Sequence, residues 1–175
     1  MFRQDRWIYD VAAYTVGEGQ LGIASSQSGG MAGEPENLIR LWRLGSRDDA
    51  TLQMRLNTEG ADPSTSSAAG PEVFCHRRGV HALEYTQGTA LAQWGAGGVL
   101  LSSSEDLVAA WAMDAQTGRG REAARAPSPL DGSPECIRLC ADGVSVVCAG
   151  RVVPGRGLPV LDLGAGLVCI YYIYI

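Results

Sequence analysis

GVLLSSSEDLVAAWAM, residues Gly98–Met113, decides how this chain is read. Two apolar runs flank a polar corner, Ser102-Ser103-Ser104-Glu105-Asp106, and the second run carries Trp111. The stretch predicts a strand, a turn and a strand. Leu107–Met113 holds no charge on either alternating set of residues, so the second strand is expected to be covered on both faces.

The same grammar extends in both directions. Upstream, Trp7–Val16, Leu21–Gln27, Asn37–Leu44, Ala50–Leu56 and Val80–Thr86 read as strands, rich in aromatic and β-branched residues or alternating in polarity. Downstream, Cys136–Ala141, Val144–Gly150, Leu158–Leu163 and Leu167–Ile175 read as strands. Gly, Pro, Asp and Ser clusters separate them. Ser28–Glu36, Asn57–Pro71 and Arg121–Pro134 read as loops, the last with a helical turn at Glu122–Arg125. No window carries an apolar stripe of helical period, so the expected class is all-β.

Composition bounds the function. The chain has 175 residues, enough for one core, and 46% of them are hydrophobic. All 14 basic residues are arginine, the net charge is −5 and no like-charge block exceeds a pair, which argues against a nucleic-acid binder. MFRQDRWIYD lacks the apolar core of a secretory signal, and the five cysteines are scattered. These features predict free thiols and an intracellular, cytoplasmic or nuclear setting. The apolar stretch Leu163–Ile175 is about 13 residues, against the roughly 20 a spanning helix needs, and no membrane partner is expected.

Three parts of the chain repeat one another. WIYDVAAYT, LGIASSQ and NLIRLWRL form the first; VHALEYT, GVLLSSS and EDLVAAWAM the second; CIRLCA, VSVVCAG and LPVLDL the third. Each is a strand, a turn, a strand with a small or polar end, and a closing strand. Bulky Trp42, Trp111 or Leu161 stands near each close.

These residues resemble the WD-repeat family of β-propellers, whose blades have four strands and end in a Trp-Asp-like dipeptide. LLSSSEDLVAAWAM is the best match, with Ser103 and Ser104 closing one strand, Glu105 and Asp106 at the corner and Trp111 in the next strand. NLIRLWRL matches through Trp42. PVLDL places Leu161 where tryptophan is usual and keeps Asp162 after it. Glu105 stands at the usual spacing before the tryptophan and Asp106 one residue closer. The Gly-His pair of the family has no clear counterpart, and His81 lies inside its strand. The resemblance implies an incomplete WD-repeat-like propeller of about three to four antiparallel blades, in blade-like units 7–56, 73–118 and 121–163 followed by a terminal strand, 164–175. Too few blades for a ring of four to eight suggests completion by self-association or by another chain.

Candidate chemistry is sparse. The Cys136-x-x-x-Cys140 spacing within a strand does not form a zinc knuckle, and no metal is expected. Ser102–Ser104 and Asp106 with His76 or His81 supply the residue types of a hydrolytic triad, but no serine sits in a G-x-S-x-G elbow, and the serines and acids of the corner are expected to fasten backbone groups and the tryptophan indole. The glycine runs complete no phosphate-binding motif, so no cofactor is expected. The one locally basic spot, Arg77-Arg78, with His81 nearby, is the candidate partner-binding surface. The resemblance implies a non-enzymatic scaffold for protein partners. A substrate-recruiting adaptor of a ubiquitin ligase, or a ligand-binding or enzymatic propeller, is the alternative.

Overall fold

The computed structural model describes residues 8–27, 39–45, 50–56, 76, 78–87, 93–94, 96–151 and 158–173. Twelve strands form three antiparallel four-stranded sheets, each a simple meander. The first sheet contains β1 (Ile8–Val16), β2 (Gln20–Gln27), β3 (Ile39–Leu44) and β4 (Ala50–Leu56). The second contains β5 (Val80–Thr86), β6 (Val99–Ser104), β7 (Leu107–Met113) and β8 (Gly120–Pro127). The third contains β9 (Pro134–Leu139), β10 (Ser145–Gly150), β11 (Leu158–Asp162) and β12 (Val168–Ile173).

Two expectations are corrected. Gly120–Pro127 is the fourth strand of the second sheet and not a loop with a helical turn. Its alanines, arginines and glutamate favour helix locally. Pairing along β7 overrides that preference, and Glu122 and Arg125 meet as an ion pair at 2.9 Å on the strand. The tail is likewise no separate element, because β12 pairs with β11 and completes the third sheet. The sheets therefore run 8–56, 80–127 and 134–173. Trp7, Ser28–Leu38, Asn57–Cys75 and Arg77 lie outside the described residues.

Strand register repeats more faithfully than the sequence does. Between the first and second strands of each sheet one residue is bulged out: Tyr9 in β1, His81 in β5 and Glu135 in β9. Between the third and fourth strands a second bulge falls just before the bulky closing residue. It ejects Gln53, Ala123 and Ile170 opposite the steps Leu41/Trp42, Ala110/Trp111 and Val160/Leu161. Bulges sharpen the local twist, so each sheet bends at the same two places. In this register Trp42, Trp111 and Leu161 are equivalent. So are their second-strand partners Ile23, Leu100 and Val146, and, two residues further on, Ser25, Ser102 and Cys148.

The sheets stack in chain order, closest along β1, β5 and β9. We call the face turned toward the lower-numbered sheet leading and the opposite face trailing. The trailing face of the first sheet (Ala12, Tyr14, Val16, Ala24, Leu41) packs on the leading face of the second (Leu83, Leu100, Ala109, Trp111, Met113). The trailing face of the second (Ala82, Val99, Leu101, Val108, Ala110) packs on the leading face of the third (Ile137, Val146, Cys148, Leu161). The middle sheet is thus buried on both sides, which is why β6 and β7 read as continuous apolar runs. Leu100 and Leu101 point to opposite cores and are fully buried, worth about 1.5–3 kcal/mol each. Polar ties span both interfaces near the first strands. Asp10 accepts the Leu83 amide at 2.8 Å, and Arg138 pairs with Glu84 at 2.6 Å.

The turn into β6 depends on glycine. Gly98 has a φ of 81°, and a side chain there would strike the Thr86 carbonyl. Leu167 adopts a φ of 65°, a region costing a non-glycine residue roughly 1–2 kcal/mol, and offsets the strain by burying its side chain completely.

Candidate functional site

The polar corner of the second sheet is built around His76, which the sequence offered only as one of two histidines for a triad with the corner serines and Asp106. Its ring is buried, 1% exposed, four positions before β5. Ser102 and Ser104 stand two apart on β6 and so share one face; each meets one ring nitrogen. Nε2 lies 2.8 Å from Ser102 Oγ, and Nδ1 lies 2.6 Å from Ser104 Oγ. The Trp111 indole donates to Ser102 Oγ at 2.8 Å, and Ser104 Oγ donates to Asp106 Oδ1 at 2.6 Å.

Donor counting orients the chain. Ser104 gives its one proton to Asp106 Oδ1 or to the Leu107 carbonyl at 3.1 Å, so it accepts from Nδ1–H; the neutral ring then leaves Nε2 as the acceptor for the Ser102 proton, while Ser102 accepts from the indole. The protons run one way, from Trp111 through Ser102, His76 and Ser104 to an oxygen acceptor at the corner. The imidazole is neutral and carries its proton on Nδ1. A second ring proton would leave the Ser102 hydroxyl without its acceptor. Burial lowers the His76 pKa to about 4, with the Asp106 charge opposing the shift. Further contacts close the corner: the Leu107 amide donates to Ser104 at 3.3 Å and the Arg78 amide to Asp106 at 3.3 Å.

Chemically this is a fastener. A hydrolytic triad needs its acid behind the imidazole and its serine exposed to substrate. Here the serine stands between acid and imidazole, Ser102 occupies the other nitrogen, and Ser102, Ser104 and His76 are all buried. Glu105 and Asp106 point apart. Asp106 closes the chain, whereas Glu105 receives the Ser133 hydroxyl at 2.8 Å from the β8–β9 connection.

The equivalent places in the other sheets are simpler. In the first, the Trp42 indole donates to Ser25 Oγ at 2.9 Å. In the third, Leu161 and Cys148 take the two places, both buried, and desolvation pushes the Cys148 thiol up to about 12. Ser103 faces the other way, toward the third sheet. Asp162 caps the turn into β12, accepting the Ala165 amide at 3.1 Å.

Of the partner-binding candidates, Arg78 is exposed beside the corner, and Arg77 lies outside the described residues. His81 is not a free surface group. It is the bulged residue of β5 and stacks on Tyr9, the bulged residue of β1, at 4.3 Å between ring centroids. Among the described residues, Cys136, Cys140, Cys148 and Cys169 are free thiols, and no three His, Cys, Asp or Glu side chains gather as a metal site. No described helix is long and apolar enough to cross a membrane.

A signal for His76 was present in the sequence. Two serines sharing one face of an otherwise apolar strand need a common polar partner, and the chain has only two histidines. No protein-family model matches this chain, and no curated protein matches it.

Proposed function

We propose that the three sheets are successive blades of a WD-repeat-like propeller and that the molecule is a non-enzymatic scaffold for protein partners. The observation that carries this reading is the fate of the polar corner. The hydroxyls of Ser102 and Ser104, both ring nitrogens of His76 and the Asp106 carboxylate are engaged in joining β6, β7 and the segment before β5. Rigid sheets then hold turns at the surface, and turns on a fixed frame are where recognition residues sit. Arg78 beside the corner, the β7–β8 turn around Asp114 and Thr117, and the Asp142-Gly143 turn are such positions. Stacking in chain order, closest along the first strands, supports the blade reading.

The test pairs Ser104→Ala with Arg78→Glu. The scaffold reading expects Ser104→Ala to lower the melting temperature without abolishing a catalytic activity. It expects Arg78→Glu to fold normally and to lose cross-links to a protein that the wild-type chain captures reproducibly. A hydrolytic activity lost in well-folded Ser104→Ala would overturn it.

A further inference from the structure

We propose that the open leading face of the first sheet is covered by the trailing face of the third sheet of a second copy, so that two chains close head-to-tail into a six-sheet ring. The inference rests on the blade reading above and adds the partner.

The molecule contains its own control. Strand register makes Val11, Ile23 and Trp42 equivalent to Leu83, Leu100 and Trp111 in the second sheet and to Ile137, Val146 and Leu161 in the third. In the second and third sheets all six side chains are at most 2% exposed, because a preceding sheet covers them. In the first sheet the same positions are also apolar, yet Val11 is 55% exposed and Ile23 and Trp42 only half-buried. Leu21, on the same face, is exposed as well. Sequence here keeps the chemistry of a covered face where no described sheet covers it. Isolated surface apolar residues need no explanation, but a repeat of an internal interface does.

The trailing face of the third sheet is open in part. Val147 and Leu158 are half-buried, whereas their equivalents Ala24 and Leu101, and Ile39 and Val108, are at most 1% exposed; Val160, between them, is 1% exposed like its equivalents Leu41 and Ala110. Val168, on the same face, is exposed. Twice within one chain a trailing face of this kind seats on a leading face of this kind. The free pair continues that series, one half at each end, and a second copy supplies both missing halves. A head-to-tail contact either closes or grows into a filament. Two copies of three sheets fall inside the four-to-eight range of closed rings.

The experiment is sedimentation velocity on the 175-residue chain from low to high micromolar, alone and as variants. Expected is a species of twice the 18.5 kDa chain mass that grows no further. Val11→Arg on the leading face and Val147→Arg on the trailing face should each yield monomers. Val168→Arg, at an exposed position, replaces Val147→Arg if circular dichroism shows that variant unfolded. Mixing a leading-face with a trailing-face variant should restore a weaker dimer, because one of the two contacts is then intact. A monomeric wild type, unlimited growth with concentration, a dimer indifferent to the trailing-face variant, or failed complementation would each overturn the proposal. The blade reading is checked separately on monomeric Val11→Arg by spin-label distances. Labels at Ala13 on β1 and Glu135 on β9 should lie closer together than labels at Arg121 on β8 and Cys169 on β12. If they do not, the blade reading itself fails, whatever the mass.

Discussion

The second and third sheets solve one packing problem in two ways. Where β6 and β7 meet, the bulky residue is Trp111 and the small one Ser102, joined to His76, Ser104 and Asp106 by directed hydrogen bonds. Where β10 and β11 meet, the register is the same, but Leu161 and the Cys148 thiol fill it with neither indole nor imidazole. Both places are sealed from water. The difference teaches that burial and shape make the sheet, while the polar chain adds something separate: it pins the segment before β5 to the corner and makes that pin sensitive to protonation. A fully satisfied polar network specifies one arrangement, and a broken one costs more than apolar packing would.

The sharpest way to break the comparison is Trp111→Ala. It removes the largest fully buried side chain and strands Ser102 and His76 together. A loss of about 3–5 kcal/mol is expected in urea unfolding, at the upper end of what Leu161→Ala should cost in the third sheet. Equal or smaller losses at Trp111 would show that the network adds nothing.

Acid comes next. His76 has a folded pKa of about 4 against an ordinary 6.5, so the unfolded chain binds the extra proton first. Stability is full above about pH 6.5 and falls as pH drops toward 4, by roughly 3 kcal/mol over that window. Asp114 and Asp142 have lowered pKa values from hydrogen bonds to Thr117 and Ser145, so their contributions fade only as pH falls below the usual carboxylate value of 3.8. Midpoints of urea unfolding at pH 7 and pH 4.5 separate the two. In His76→Asn the loss between those values should largely vanish, along with much of the stability at pH 7.

Smaller effects sharpen the contrast. Ser102→Ala leaves the indole N–H and a ring nitrogen without partners, and about 1–3 kcal/mol should be lost. The reciprocal change, Cys148→Ser, puts a hydroxyl where the third sheet offers no tryptophan, and about 1 kcal/mol should go. If Cys148→Ser were as costly as Ser102→Ala, the two sites would not differ in kind.

Much of this architecture was legible in the residues. Eleven of the strands announce themselves through alternation or apolar runs between turn residues, and the three-part repeat is visible in the closing strands. β8 was not legible, because an edge strand is paired on one side only and GREAARAP has the composition of a solvated helix or loop. The paired bulges were hidden for another reason: Tyr9, His81 and Glu135 share a backbone position and no chemistry. The structural role of His76 was masked by its neighbours. Arg77 and Arg78 suggest solvent, and its partners lie some thirty residues along, at Ser102, Ser104 and Asp106. Only the pairing of β5 with β6 brings them within reach.

The raised thiol of Cys148 has a practical corollary. A cysteine reacts as its thiolate, and this one is both shut away and held almost wholly protonated at neutral pH. Alkylation at that site must wait until the leading face of the third sheet parts from the second. Cys169, exposed on β12, needs no such event. The ratio of the two labelling rates in the native protein is therefore a clock, timing how often the stack opens at one seam.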